Sequence, residues 1–213
     1  MLKFARAAFL VFAVLVAGAT HARAESIGPN CGTCQGSIYT LENLGMVGDI
    51  YGLDGNPFDT YQFRLTIDAT NYNGGGAAID EVAVKVASSA NKATIVSAPG
   101  GASLWQVVPG GLNADGCSGS GSGFECAEWT LTTLSAAVVP GTIWSWTFNI
   151  DVSSPLFSFD SANPDLLPSI KVRYVDDAGN KVGALVSEKV PEPTTLGLMA
   201  MGLGLAAARR RRA

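Results

Sequence analysis

Tyr61, Phe63, Leu65 and Ile67 alternate with Gln62, Arg64, Thr66 and Asp68, so this stretch has one apolar side and one polar side at a period of two. A pleated strand produces that period, because successive side chains point to opposite faces; a helix would scatter the same residues around its surface. The pattern recurs. Trp144, Trp146, Phe148 and Ile150 alternate with Ser145, Thr147, Asn149 and Asp151, and Val82, Val84 and Val86 repeat it, as do Ile170, Val172 and Tyr174. Each such strand must hide one face and can leave the other wet, which is the habit of antiparallel sheets. Further strands are expected at Ser37–Glu42, Ala93–Ala98, Ser103–Val108, Glu128–Leu134 and Gly183–Lys189. Turn chemistry separates them at Asn73-Gly74-Gly75-Gly76, Pro99-Gly100-Gly101, Pro109-Gly110-Gly111, Pro140-Gly141 and Asp177-Ala178-Gly179-Asn180. Ser153–Pro168 carries three prolines and reads as a long loop. No helical periodicity of ten residues interrupts the series. The expected fold is all-β: a single antiparallel β-sandwich over 25–190, jelly-roll or immunoglobulin-like in topology.

The two ends follow a different pattern. Lys3 and Arg6 precede thirteen uncharged residues, Ala7 to Ala19, and then Ala22-Arg23-Ala24. Positive start, short apolar run and small-x-small site make a secretory signal peptide, residues 1–24, cut after Ala24 by signal peptidase once the Sec machinery has engaged it. Thirteen residues are too few for a membrane span, which takes about 20. At the other end Pro191-Glu192-Pro193 is followed by fifteen residues rich in Gly, Leu and Ala, Thr194 to Ala208, and then by Arg209, Arg210, Arg211 and Arg212. The prolines fix φ and withhold N–H donors, so the helix begins after them. Fifteen residues make a short transmembrane helix of about 22 Å, and the arginines hold its far end on the cytoplasmic side.

The tail over 191–213 resembles the PEP-CTERM sorting signal of exported Gram-negative proteins, on the tripeptide, the Gly/Leu-rich helix and the arginine cluster in that order. The resemblance implies recognition by exosortase, a membrane protease thought to cut near the tripeptide. It also implies association with exopolysaccharide and biofilm. The expected path is export, a transient anchorage in the inner membrane, then the outer surface or the medium.

Removing both ends leaves 166 residues, enough for one domain with a real core. This span keeps 17 of the 18 acids and seven of the 14 Lys and Arg, for a net charge near −10. Nucleic acid is not an expected partner, because phosphate binding needs clustered cations. The only histidine, His21, falls in the signal peptide. Hydrolytic chemistry that relies on imidazole as base or metal ligand is therefore excluded from the exported domain.

Cys31, Cys34, Cys117 and Cys126 are an even set in an oxidising compartment, with three possible connectivities. Pairing Cys31 with Cys34 and Cys117 with Cys126 is favoured. Cys31-Gly-Thr-Cys34 has redox spacing, yet no helical pattern follows it, and the wide second pair does not suit a four-cysteine zinc site.

Three constellations are candidates for function. Trp105 and Trp129 are candidate stacking faces for sugar rings, whereas Trp144 and Trp146 share the apolar face of their strand and belong to the core. Asp49, Asp54, Asn56 and Asp59 fall in one Gly/Pro-rich loop whose oxygen ligands would suit calcium, although the same residues are ordinary turn chemistry. Glu125 and Glu128 are a carboxylate pair, the minimum for a glycosidase if a cleft brings them together. The leading expectation is a non-enzymatic envelope or matrix protein without a cofactor. The alternative is a carbohydrate-binding module for the cell's own exopolysaccharide, and the remote one is a carboxylate glycosidase.

Overall fold

The computed structural model describes residues 23–48, 58–86, 90–119, 123–133, 136–137, 142–152, 168–183 and 185–189. The signal peptide up to residue 22, the loop at 153–167 and the sorting tail from 190 onward lie outside them. All strand pairings among the described residues are antiparallel. One sheet has the order β1 (Arg23–Ile27), β2 (Ile38–Gly48), β3 (Asp59–Asp68), β11 (Ile143–Val152) and β5 (Ala90–Ser97). The other has the order β13 (Val186–Lys189), β12 (Ser169–Val175), β4 (Ala78–Lys85), β9 (Phe124–Trp129) and β6 (Trp105–Pro109). A two-residue strand, β10 (Ala136–Ala137), continues beside β4 at Ala78 and Ile79, beyond the stretch from Glu81 to Lys85 that β9 pairs.

The central partners are distant in sequence: β3 with β11, β11 with β5, β12 with β4, β4 with β9. The chain crosses from sheet to sheet between β3 and β4, β4 and β5, β5 and β6, β10 and β11, and β11 and β12. That wrapping is of the jelly-roll kind. The expected strand alternation places the core. Tyr61, Phe63, Leu65 and Ile67 of β3 and Trp146, Phe148 and Ile150 of β11 face Val82 and Val84 of β4 and Ile170, Val172 and Tyr174 of β12, all buried. Phe63 lies directly opposite Phe148 in the register. Burial of side chains this size is worth about 1.5–3 kcal/mol each, which fixes the register, since a slip by one residue would turn the whole set to solvent.

The second sheet is covered on its outer face as well. A hairpin of β7 (Gly111–Asn113) and β8 (Gly116–Gly119) lies on it, and Leu112 and Cys117 pack with Ala83 and Cys126 into a small second core. The disulfide Cys117–Cys126 joins the hairpin to β9. Closing this loop contributes about 2.5 kcal/mol in the chain-entropy account. Gly116 has φ +122°, and a Cβ there would come within 2.8 Å of Glu81 Oε1, so only glycine lets the hairpin sit this close to the sheet.

The disulfide Cys31–Cys34 closes a turn ahead of β2, with Cys34 buried. The Tyr39 hydroxyl donates to the Cys34 carbonyl (3.2 Å) and meets the Tyr174 hydroxyl at 2.9 Å. Ser37 Oγ lies 3.2 Å from the same Tyr174 hydroxyl. This pair therefore staples the turn to the core and opens no helix, as a redox motif would. Signal cleavage after Ala24 would fall within β1 and leave Glu25, Ser26 and Ile27 as its exported part.

Three expectations are corrected. The strand expected at Glu128–Leu134 is β9 at Phe124–Trp129, and the chain turns at Leu131–Thr133. The strand expected from Ser103 begins at Trp105, after a 3-10 turn at Ala102–Leu104. The Pro109-Gly110-Gly111 turn is shorter than expected, since Gly111 already pairs with Gly119.

Candidate functional site

Asp80 and Glu81 put two acids side by side at the start of β4, where strict alternation would allow one. The pairing of β4 with β12 shifts register here: Arg173 is opposite Glu81 and Tyr174 is opposite Ile79, so Asp80 is the extra residue of a β-bulge. A bulge re-aims side chains, and this one turns both carboxylates toward a single guanidinium. Arg173 Nη1 donates to both Glu81 oxygens at 3.1 Å, and Nη2 meets Asp80 Oδ2 at 3.0 Å. The register continues the row across the sheet. Glu81 is opposite Glu128 and Glu128 is opposite Gln106, whose amide donates to Glu128 Oε1. Four strands thus carry Arg173, Glu81, Glu128 and Gln106 in a line on the outer face.

Burial dominates the electrostatics. It pushes the Asp80 carboxyl from 3.8 to about 6 and that of Glu81 from 4.5 to about 7, although Arg173 pulls both down. Glu125 rises from 4.5 to about 6, through burial and then the nearby Asp151 charge. Between about pH 4 and pH 7 the native domain therefore holds protons that the unfolded chain has released. The associated stability is full near the unfolded values and is lost as pH rises through 6 to 7. The melting midpoint is expected to be at least about 3 °C higher at pH 5.5 than at pH 8. A midpoint that climbs steadily from pH 5.5 to pH 8 would contradict this assignment.

A cavity of about 260 Å³ opens over the start of β4. Asp80 and Glu81 form its base. One wall is the turn after β9, with Trp129, Leu131, Thr132 and Thr133; the other is the turn after β12, with Asp177, Ala178 and Gly179. Both walls are fixed. The Trp129 indole N–H donates to the Thr133 carbonyl (2.7 Å), and its ring packs edge-on against Trp105 at 5.4 Å. Asp176 Oδ1 accepts from the Ala178 and Asn180 amides at 2.9 and 2.8 Å, which locks the second turn and lowers the Asp176 pKa.

The residues singled out from sequence fare differently. Trp129 is half-buried and lines this cavity. Trp105 does not: it is 5% exposed, its N–H is held by the Pro99 carbonyl, and its ring lies between Trp129 and Trp146, so it offers no face to a ligand. Glu125 and Glu128 do not converge. Three residues apart on one strand, they point to opposite faces, Glu125 with Ala127 and Glu128 with Cys126. Of the calcium candidates, Asp49, Asp54 and Asn56 lie outside the described residues, while Asp59 is buried at the start of β3 with Oδ1 unpaired. Among the described residues, one group of potential ligand atoms lies within 4.8 Å, Glu81, Cys117 and Glu128, but Cys117 is committed to Cys126. The doubled acid Asp80-Glu81 ahead of a valine alternation was the available signal for the bulge; Arg173 gave none.

The cavity sits at the pole where β9 and β12 end. At the other pole β13 ends at Lys189, opposite Ser169, the first residue of β12. The seven residues of β12 separate the two by about 20 Å. Beyond Lys189, only Val190 precedes Pro191. Residues 189–212 match the model of the PEP-CTERM protein-sorting motif. The chain is thus an exported, exosortase-sorted protein destined for the cell surface. The PEP-CTERM match covers the tail and leaves the sandwich unassigned. No curated protein matches the chain. Lys189, the last described residue before the PEP-CTERM tripeptide, lies at the pole opposite the Trp129 cavity.

Proposed function

We propose that this is a non-enzymatic envelope or matrix protein that holds the cell's own exopolysaccharide through the cavity beside Trp129. The observation that carries the reading is the cavity itself: a fixed, half-buried indole next to carboxylates and threonine hydroxyls, at the pole opposite Lys189. Sugars present exactly those needs, with apolar C–H faces for the ring and hydroxyls for the polar groups. Its volume is slightly below the roughly 300 Å³ at which drug-sized sites begin, so it suits one ring-sized unit of a chain. After processing, the protein reaches the outer surface or the matrix and meets the polymer there. A binding role fits better than a catalytic one, because Asp80 and Glu81 are clamped by Arg173 and the exported span has no histidine.

Co-sedimentation with exopolysaccharide from the host's own biofilm tests this. The processed protein is expected to pellet with the polymer, and Trp129→Ala combined with Leu131→Ser is expected to weaken binding about 10-fold. Equal binding by wild type and double variant, with both folded by circular dichroism, would remove the cavity from the account. No binding at all would leave a purely structural role in the matrix.

A further inference from the structure

The charge of the cavity goes one step beyond that reading and rests on it. We infer that the unit received beside Trp129 is an amine-bearing sugar, as in a partly N-deacetylated amino-sugar polymer, and that acidic polysaccharides are excluded. Asp80, Glu81 and Asp177 line the cavity, and no lysine or arginine does. Arg173 lies beneath and is already shared between two carboxylates. Glu128 adds a further acid behind Glu81 in the register. Three further described cations on or beside this sheet are engaged elsewhere. Lys171 and Lys85 lie over the Phe124 ring at 4.9 and 5.8 Å, toward the opposite pole, and Lys181 Nζ donates to the Gly183 carbonyl at 2.6 Å.

A uronate entering this cavity would meet carboxylates without a free counter-charge, which costs affinity and slows encounter. A neutral sugar would use the indole and the hydroxyls alone. An ammonium on the ring adds attraction to the exposed Asp177 and to Asp80, and a cation–π contribution at the indole. It also offsets the burial of Asp80 and Glu81, whose ionised forms the fold alone disfavours.

Calorimetry on the exported protein purified from its host separates the possibilities. The probes are a β-1,4-linked glucosamine hexamer, its fully N-acetylated counterpart, a hexa-uronate and spermidine. The amine hexamer is expected to bind at least about 5-fold more tightly than the acetylated one, with the uronate weaker than both. Asp177→Lys, at an exposed turn position on the cavity wall, is expected to erase that preference. Acetylated and amine forms binding equally, or the uronate binding best, would overturn the inference while leaving glycan binding intact. Spermidine matching the amine hexamer would also overturn it, since charge without a ring would then suffice. Failure of every saccharide would overturn this inference and the proposed function together.

Discussion

Alanine in place of Pro191, Glu192 and Pro193 is expected to hold the protein uncut in the inner-membrane fraction, a complete loss of release. The variant keeps the apolar segment Thr194–Ala208 and the four arginines, which are expected to anchor it, while the tripeptide of the sorting motif is gone. Serine in place of Arg209 to Arg212 is expected to act differently. It removes the cations that the cytoplasmic side retains and leaves a segment of fifteen residues, short of a full span, to hold the bilayer alone. That protein should be exported with its tail uncut, or degraded. Fractionation with an internal tag distinguishes the outcomes, and mass spectrometry of the wild type should find Glu25 at the N-terminus and the arginines missing. The fold makes the first variant informative. Lys189, where the motif match begins, is still paired with Ser169 at the edge of the sheet, so in sequence only Val190 separates the strand from Pro191. Release and trimming of both variants as in the wild type would show that neither element is read.

The tail and the central strands were legible from sequence for related reasons. Order along the chain is all that a sorting signal has to convey, and period two is all that a strand with one dry face has to convey. β3 and β11 have such faces, so Tyr61–Ile67 and Trp144–Ile150 identified them. Legibility failed at β9, where both faces are covered and no alternation survives, whereas β4, also covered on both faces, keeps its valine alternation. β9 reads Phe124-Glu125-Cys126-Ala127-Glu128-Trp129 because its inner side meets the core and its outer side meets the β7–β8 hairpin. A sequence without alternation gave no phase, and the strand was placed four residues too late. The hairpin itself is rich in Gly, Asn, Asp and Ser around Leu112 and Cys117, a composition that reads as loop. β2 was expected to stop at Glu42 but runs to Gly48, through register shifts at Asn43/Gly45 and Met46/Gly48 that scramble the side-chain period while the backbone stays paired. The site was half visible. Trp129 was named because aromatic residues are countable, but Arg173 lies 92 positions from Glu81, and only the register brings them together.

Arg173→Met is expected to destabilise the domain by about 3 kcal/mol at pH 8 and by less than half of that at pH 5.5. Arg173, Asp80 and Glu81 have side chains only 14%, 19% and 10% exposed, so removing the cation strands two carboxylates in a poorly solvated place. Arg173 already fails to bring either carboxyl back to its ordinary value; without it both must titrate higher still. At pH 8 the variant must either ionise them unpaired or hold their protons against the solvent, and both options cost stability. At pH 5.5 the carboxyls are largely neutral in the folded state, and much of the penalty disappears. Methionine keeps the length of the side chain, so lost packing is small. Arg173→Lys should recover part of the loss at pH 8, less than fully, because an ammonium cannot reproduce the paired 3.1 Å contacts to Glu81 and the 3.0 Å contact to Asp80 at once. Adding Asp80→Asn and Glu81→Gln to Arg173→Met should restore stability at pH 8 further than lysine does, since no charge is then left unpaired. Urea melts of the four proteins at the two pH values measure all of this. A loss of equal size at pH 5.5 and pH 8 would mean that Arg173 supports the sheet by packing, and that the bulge at Asp80 was not built to hold two acids on one cation.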